Sequence, residues 1–192
     1  MKLLLASSNP GKLREYSELS RGTNVEIELL PGFSSFPAFD ESAPTFAENA
    51  TGKALHYSRF TPETVLADDS GLVVPALGGA PGVHSARYAG PGTSDAERVQ
   101  KLLREMEGKE GDTRGAKFVC IVALAAQGRA LAVVSDMASG VITKAPRGES
   151  GFGYDPVFLF EDLGRTYAEL MPDEKNAYSH RGRAFRKLLY FV

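Results

Sequence analysis

Two adjacent carboxylates inside an apolar stretch constrain this chain more than any other feature. Asp68 and Asp69 follow the short apolar run of residues 64–67, and after a Ser-Gly pair a second apolar run occupies residues 72–77. This pattern predicts a buried strand that ends at the carboxylates and a turn at the Ser-Gly pair. Hard divalent cations bind oxygen ligands, and Mg²⁺ commonly takes one or two carboxylates together with substrate phosphates. The stretch therefore indicates either a metal site for a phosphorylated ligand or an ordinary solvated turn.

The spacing of apolar residues along the rest of the chain predicts an α/β fold. Strands are predicted at residues 2–6, 25–30, 116–126, 130–135 and 139–143, with helices that begin near Pro10, Thr45 and Ser94. The early strands alternate with helices, whereas the later strands follow one another as hairpins. We therefore expect a mixed β-sheet flanked by helices. No repeat, low-complexity tract or linker divides the 192 residues.

Composition excludes several classes of protein. The formal net charge of −2 argues against broad nucleic-acid binding, which needs a basic excess. The single cysteine, Cys120, lies in an apolar run and is predicted to be a core residue rather than a nucleophile. The apolar run at the start of the chain is too short for a signal peptide, and no run approaches the roughly 20 residues of a membrane span. We therefore expect a cytoplasmic protein without a membrane segment.

A predicted strand-to-helix turn near the start of the chain is a candidate phosphate site. Its residues are Ser7, Ser8, Asn9, Pro10, Gly11 and Lys12. Free backbone N–H groups at the start of a helix bind anions, and the lysine adds a positive charge. The turn is not a Walker loop, because the upstream glycine and the hydroxyl residue after the lysine are missing. The alternative is a helix capped by Asn9 with a solvated Lys12.

Charged residues around the second predicted helix supply further candidates. Glu41 lies in the loop of residues 31–44, before a helix that begins at Thr45. The spacing from Thr45 to Glu48 is that of a capping box, which gives Glu48 a structural explanation. Lys53, farther along the same helix, would be an ordinary surface lysine unless its face of the helix meets a ligand.

Two later segments combine flexible backbone with aromatic and charged side chains. Phe152 stands between glycines and is followed by Tyr154 and Asp155, an arrangement that lets backbone and ring approach a flat ligand. The alternative is a glycine-rich turn with Phe152 in the core. His180 and Arg181 open the last predicted helix, where positive charge opposes the helix macrodipole. Their position favours an anionic or carbonyl partner, or else a solvated face.

Seven short motifs occur in order and together resemble the inosine/xanthosine triphosphate pyrophosphatase family. They are SxNxxK at 7–12, TFxENAxxKA at 45–54, ADDSGL at 67–72, LGGAPG at 77–82, SARY at 85–88, GFGYDP at 151–156 and SHRG at 179–182. The resemblance covers residues 2–190 and shows no departure at these positions. It implies a single nucleotide pyrophosphatase domain over residues 1–192, with an elongated mixed sheet, two lobes, a central cleft and a homodimeric assembly. It also implies hydrolysis of ITP, dITP and XTP to the monophosphate and pyrophosphate with Mg²⁺, which cleanses the nucleotide pool.

The resemblance implies a role for each candidate residue. Asp69 would be the catalytic carboxylate and a metal ligand, with Glu41 as the second metal carboxylate and Glu48 as its alternative. The triphosphate would be held by residues 7–12 and Lys53, and Ser70 would contact the ligand. The base pocket would contain Phe152, Gly153, Tyr154, Asp155, Lys175, His180 and Arg181. Donors from His180, Arg181 or backbone N–H groups would select the 6-oxo group of the purine over the amino group of adenine.

Three other hypotheses remain open at this point. The same loops would serve a nucleotide-binding module that has no turnover. An aspartyl-phosphate phosphohydrolase would use the Asp-Asp pair as nucleophile, although such enzymes place the second aspartate two residues after the first. A Maf-type nucleotide pyrophosphatase has a similar fold and acts on other bases. How guanine would be rejected does not follow from any residue.

Overall fold

The computed structural model describes residues 1–192 and contains one seven-stranded mixed sheet. The strands are β1 (Lys2–Leu5), β2 (Glu26–Leu29), β3 (Thr64–Val73), β4 (Gly115–Ala126), β5 (Arg129–Ile142), β6 (Phe158–Phe160) and β7 (Arg165–Thr166). Their order across the sheet is β2-β1-β3-β4-β5-β6-β7. β1 pairs in parallel with β2 and β3, whereas β6 pairs antiparallel with β5 and β7. The predicted α/β fold with a mixed sheet is confirmed.

Five α-helices accompany the sheet, and local signals explain where several of them begin. They are α1 (Pro10–Leu19), α2 (Phe46–Tyr57), α3 (Asp95–Glu105), α4 (Pro172–Tyr178) and α5 (His180–Leu188). Thr45 and Ser94 cap α2 and α3 by accepting a backbone N–H three residues on, and Ser94 belongs to a full capping box with Glu97. None of the helices has the length and apolar character that a membrane crossing requires.

The chain forms two compact units, each assembled from separate segments. The first unit contains residues 1–69, 120–136 and 180–192, and the second contains residues 70–119 and 137–179. The predictions of a single domain, two lobes and a central cleft stay predictions.

Two apolar clusters stabilise the first unit because alternate residues of a strand point to opposite faces of the sheet. Leu3 and Leu5 of β1 belong to a cluster with Phe185 of α5, whereas Leu4 belongs to a second cluster with Tyr57 of α2. Cys120 lies in the first of these clusters, and burial raises the pKa of its thiol to about 12. The prediction that Cys120 is a core residue is confirmed.

The second unit packs around an aromatic core and a buried guanidinium. Phe118, Phe158 and Tyr167 are all buried there, with ring centroids 4.7–5.9 Å apart. Arg114 is also buried in this unit and donates to the backbone carbonyls of Met106, Lys109, Ile142 and Thr143. Because a buried cation needs its donors satisfied, this arrangement joins the end of α3 to the end of β5.

Two predicted boundaries are wrong. β3 continues through residues 68–71 instead of turning there, and β5 is one strand of 14 residues rather than two separate strands at 130–135 and 139–143. β5 continues because Ser135 and Ser139 occupy exposed positions that alternate with buried ones, which a half-buried strand accommodates. β3 continues because its polar groups find partners inside the fold.

Candidate active site

Asp68 and Asp69 therefore lie in the middle of β3 rather than at its end. Their side chains point to opposite faces of the sheet, since successive residues of a strand alternate. Asp68 is fully buried and Asp69 is 8% exposed. A buried carboxylate is stable only when it is paired or hydrogen-bonded, so the partners of each one define its possible role.

Asp68 holds two cations inside the first unit. One of its carboxylate oxygens, Oδ1, lies 2.8 Å from Lys12 Nζ, and Oδ2 accepts hydrogen bonds of 3.3 Å from Nε and Nη2 of Arg181. Arg181 also donates through Nη1 to Glu15. Burial alone would raise the pKa of Asp68, but Lys12 and Arg181 hold it well below its usual range. Asp68 is therefore an ionised anchor for both cations.

The negative charge of Asp69 is less completely compensated by neighbouring cations than that of Asp68. Its Oδ2 accepts a hydrogen bond of 3.0 Å from Asn49 Nδ2. Burial raises the pKa of Asp69, and this effect outweighs the opposing influence of Lys12, Asn49 and Lys53; the nearby Glu41 raises the pKa further. A carboxylate in this environment favours a bound cation or a proton. Such an environment is what a metal ligand or a general base requires.

Asn49 connects Asp69 to the loop that carries Glu41. Its Oδ1 accepts the backbone N–H of Ala43 at 3.0 Å, and its Nδ2 donates to the carbonyl of Ala43 at 3.3 Å as well as to Asp69. Asn49 is 1% exposed on α2. No role for Asn49 was predicted from the sequence, although its position in the motif TFxENAxxKA was a usable signal.

The structure distinguishes Glu41 from Glu48. Glu41 Oε1 accepts a hydrogen bond of 3.0 Å from Lys53 Nζ, and Lys53 is buried on α2. Glu48 is exposed, and its carboxylate accepts the hydroxyl of Thr45 at 2.7 Å while its N–H donates back to that hydroxyl. Thr45 caps α2 as the spacing predicted, but the full capping box does not form, because Glu48 bonds the Thr45 hydroxyl rather than its backbone N–H. Lys53 is not a solvated lysine.

The turn at residues 7–12 departs from its expected geometry in two ways. Asn9 caps α1, as the alternative interpretation proposed: its Oδ1 accepts the N–H groups of Gly11 and Lys12. Its own N–H donates to Ser7 Oγ. The expectation of free N–H groups at these three positions is therefore wrong, because side chains inside the turn satisfy them first. Lys12 is not solvated either, since Nζ contacts both the carboxylate and the carbonyl of Asp68. A phosphate would have to bind through side chains or replace these bonds.

The donor set of the first unit fits Mg²⁺ better than a metal that needs a dedicated cage. No group of three or more His, Cys, Asp or Glu side chains converges in the structure. Asp69 and Glu41 are hard oxygen donors, and Mg²⁺ is usually bound by one or two carboxylates, with waters and substrate phosphates completing its coordination. Two carboxylates close to Lys12 and Lys53 match that requirement.

In the second unit, residues 152–155 form a tightly bonded segment with Lys175. Asp155 is buried and accepts both the N–H of Phe152 at 2.8 Å and the ammonium of Lys175. Lys175 Nζ also lies 5.0 Å from the ring centroid of Phe152, within cation–π range. Gly151 has φ +78°, and a Cβ there would lie 2.1 Å from Asp155 Oδ2, so only glycine fits.

The other backbone donor of this segment is also occupied. The N–H of Gly153 donates to Asp95 Oδ2 at 2.7 Å, and Tyr154 Oη donates to the carbonyl of Ser85 at 2.9 Å. Since the N–H of Phe152 donates to Asp155, both N–H groups are bonded within the chain, and the role of this segment towards a ligand stays a prediction. Carboxylates of this chain saturate them, and Asp95 was not a candidate on sequence grounds.

His180 and Arg181 open α5 as predicted, and both are buried. The ion pairs of Arg181 with Glu15 and Asp68 explain why a cation is stable at this helix start. Ser70 follows Asp69 directly on β3 and is half-buried. The roles of these three residues towards a ligand stay predictions.

The chain is similar to known proteins over nearly its whole length. Residues 3–191 match the model of the Ham1 family. A dITP/XTP pyrophosphatase of Geobacillus kaustophilus is 51% identical over 187 residues, which span 97% of this chain and 92% of the relative. A dITP/XTP pyrophosphatase of Gloeobacter violaceus has the same identity and coverage.

Solved structures agree over the whole chain. A HAM1 protein from Coxiella burnetii superimposes with a TM-score of 0.87 at 42% identity, covering 99% of this chain and 97% of that one. A nucleoside-triphosphatase, dITP/XTP pyrophosphatase, from Mycobacterium abscessus gives a TM-score of 0.72 at 41% identity, covering 98% and 97%.

Proposed function

Because this chain belongs to the Ham1 family, we propose that it is a nucleoside triphosphate pyrophosphatase acting on non-standard purine nucleotides. It hydrolyses ITP, dITP and XTP to the monophosphate and pyrophosphate, and so cleanses the nucleotide pool. One observation supports this chemistry above the others. A buried carboxylate with a raised pKa, Asp69, is surrounded by the charges of Lys12, Lys53 and Glu41.

Positioning and charge neutralisation, rather than covalent chemistry, dominate phosphoryl transfer. Asp69 orients the attacking water and accepts its proton, a role that suits a carboxylate with a raised pKa. Lys12 and Lys53 neutralise the departing pyrophosphate, and the side chains of residues 7–12 position the triphosphate. Bound Mg²⁺ supplies further neutralisation at the phosphate oxygens.

The proposed ligands of Mg²⁺ are Asp69 and Glu41. Glu41 is preferred to Glu48 because it lies beside Lys53 and influences the pKa of Asp69, whereas the carboxylate of Glu48 is bonded at the exposed start of α2. Asn49 holds the two carboxylates in place, because it is bonded both to Asp69 and to the backbone of Ala43 in the loop that carries Glu41. Groups that orient metal ligands in this way usually influence metal affinity.

In the second unit, Phe152 is proposed to offer a ring for stacking on the base, and Lys175 to offer a cation beside that ring. In the first unit, His180 at the start of α5 is proposed as a donor for the 6-oxo group. Adenine carries an amino group at that position and would leave such a donor unpaired, which is a strong basis for rejection. Arg181 is proposed as a further substrate-binding residue of the first unit, where its side chain is bonded to Asp68.

The wider setting is proposed from the same family membership. The protein acts as a homodimer in the cytoplasm, where the nucleoside triphosphate pool is located, and it uses neither nucleic acid nor a membrane as partner. Light scattering on the purified chain checks the assembly, because a dimer doubles the 20.6 kDa mass of the chain.

A nucleotide panel read by separate pyrophosphate and orthophosphate assays tests the activity. We expect pyrophosphate from ITP, dITP and XTP with Mg²⁺, little from ATP and GTP, and no release with EDTA or in Asp69→Asn. Orthophosphate as the first product would replace the proposal with a phosphohydrolase. Binding of ITP without turnover would indicate a nucleotide-binding module, and a preference for other bases would favour a Maf-type enzyme.

A further inference from the structure

Segment 151–155 of the second unit is held from outside by the first residue of α3. Asp95 Oδ2 accepts the N–H of Gly153 at 2.7 Å. Its other oxygen, Oδ1, accepts a hydrogen bond from Arg98, which donates in turn to the carbonyl of Ala86. Asp95 thus connects the segment to α3 and to residues 82–87 at once.

This contact differs from the other bonds of the segment. Asp155 binds Phe152 from within the segment itself, and Tyr154 Oη reaches Ser85 from the far end of a long side chain. The bond from Asp95 acts directly on the backbone, at the residue that follows Phe152. Gly153 has φ +64°, and a Cβ added there would meet no atom within 4 Å, so this side of the residue is open. The hydrogen bond to Asp95 therefore supplies a restraint that side-chain packing does not.

The N-terminus of α3 does not need Asp95 for its own cap. Ser94 accepts the N–H of Glu97, and the Glu97 carboxylate accepts the N–H of Ser94 at 2.7 Å. This capping box satisfies two of the exposed N–H groups that a helix start presents without using Asp95. An acidic residue at the first helical position adds a small favourable interaction with the helix dipole. The bond to Gly153 is additional to both effects.

We propose that Asp95 is a positioning residue for base recognition. By fixing Gly153, it sets the orientation of the adjacent Phe152 ring and of the Asp155–Lys175 pair towards the purine base. This inference rests on the proposed function, since it assumes that residues 152–155 contact the base. It adds a residue that no motif in the sequence indicated.

Kinetics of Asp95→Ala against the matched control Glu97→Ala test this proposal. Both changes weaken the start of α3, but only the first removes the bond to Gly153. We expect the KM for ITP and XTP to rise about two- to tenfold in Asp95→Ala, the range for one partly exposed hydrogen bond, with kcat little changed. Glu97→Ala should keep the KM of the parent. Inorganic tripolyphosphate, which has no base, should inhibit both variants as it inhibits the parent.

Two further measurements separate positioning from a general loss of structure. Hydrogen exchange at the Gly153 amide should accelerate in Asp95→Ala and stay slow in Glu97→Ala. Asp95→Asn keeps an acceptor oxygen and should recover most of the KM. The proposal is overturned if Asp95→Ala keeps the parent KM, if Glu97→Ala raises KM equally, or if inhibition by tripolyphosphate weakens in parallel. Absence of pyrophosphate release by the parent enzyme would instead refute the proposed function, while the exchange measurement would still report on the contact between Asp95 and Gly153.

Discussion

The bond between Lys53 and Glu41 predicts that removal of the Lys53 ammonium will strengthen metal binding and weaken turnover. Both residues are proposed to act on substrate groups, yet they are 3.0 Å apart and bonded to each other. Metal binding at Glu41 has to compete with the ammonium of Lys53 for the same carboxylate. We therefore expect Lys53→Met to increase the affinity of the nucleotide-free protein for a divalent cation while it lowers turnover of ITP.

The size of the increase follows from the exposure of the pair. Two unit charges at 3.0 Å attract each other by about 5.5 kcal/mol at an effective dielectric constant of 20. The Glu41 side chain is 39% exposed, however, so solvent screening and side-chain entropy reduce the net value to about 0.5–1 kcal/mol. Removal of the competing ammonium should then improve metal affinity about two- to fivefold. Turnover of ITP should fall by about two decades, because a cation at the triphosphate is lost.

Mn²⁺ titration followed by electron paramagnetic resonance measures the affinity, and pyrophosphate release from ITP measures turnover. Lys144→Met is the control for loss of one positive charge, since Lys144 forms an exposed ion pair with Glu110 elsewhere. It should leave both quantities unchanged. Weaker Mn²⁺ binding in Lys53→Met, or unimpaired turnover, would show that Lys53 does not compete for the metal carboxylate and would refute this reasoning.

Four further predictions concern three side chains. Asp69→Asn should reduce turnover by at least about two decades with an unchanged circular dichroism spectrum. Folding raises the pKa of Asp69, so its contribution to the free energy of unfolding is complete below the unfolded value of 3.8 and is lost as the pH rises through the folded pKa. Chemical denaturation without added metal should therefore show Asp69→Asn gaining stability relative to the parent from acid pH to pH 7; a constant difference would contradict the shift. Asn49→Ala should raise the Mg²⁺ concentration for half-maximal activity about tenfold or more, whereas an unchanged requirement would exclude a positioning role. Arg114→Met should lower the free energy of unfolding by about 3 kcal/mol, because four carbonyls lose their donors, and a thermal melt within about 1 °C of the parent would contradict this.

Short-range bonds explain why parts of the structure could be predicted without coordinates. Asn9 caps α1 through N–H groups two and three residues later, and Ser94 and Glu97 close a capping box across three residues. Such partners lie within one helical turn, so their spacing along the chain is enough to predict them. The alternation of apolar residues likewise predicted the strands and the mixed sheet.

The partners of the site residues lie far apart in the chain, and only the tertiary structure decided them. Arg181 reaches Asp68 across 113 residues and Glu15 across 166, and Gly153 reaches Asp95 across 58. No local pattern encodes such a contact, because any of the charged side chains could in principle supply the partner. The sequence by itself determined which residue types were present for metal, phosphate and base, together with the order of strands and helices. The fold decided that Asp68 binds cations while Asp69 is left with a raised pKa, since neighbouring residues of one strand point to opposite faces and enter different electrostatic environments.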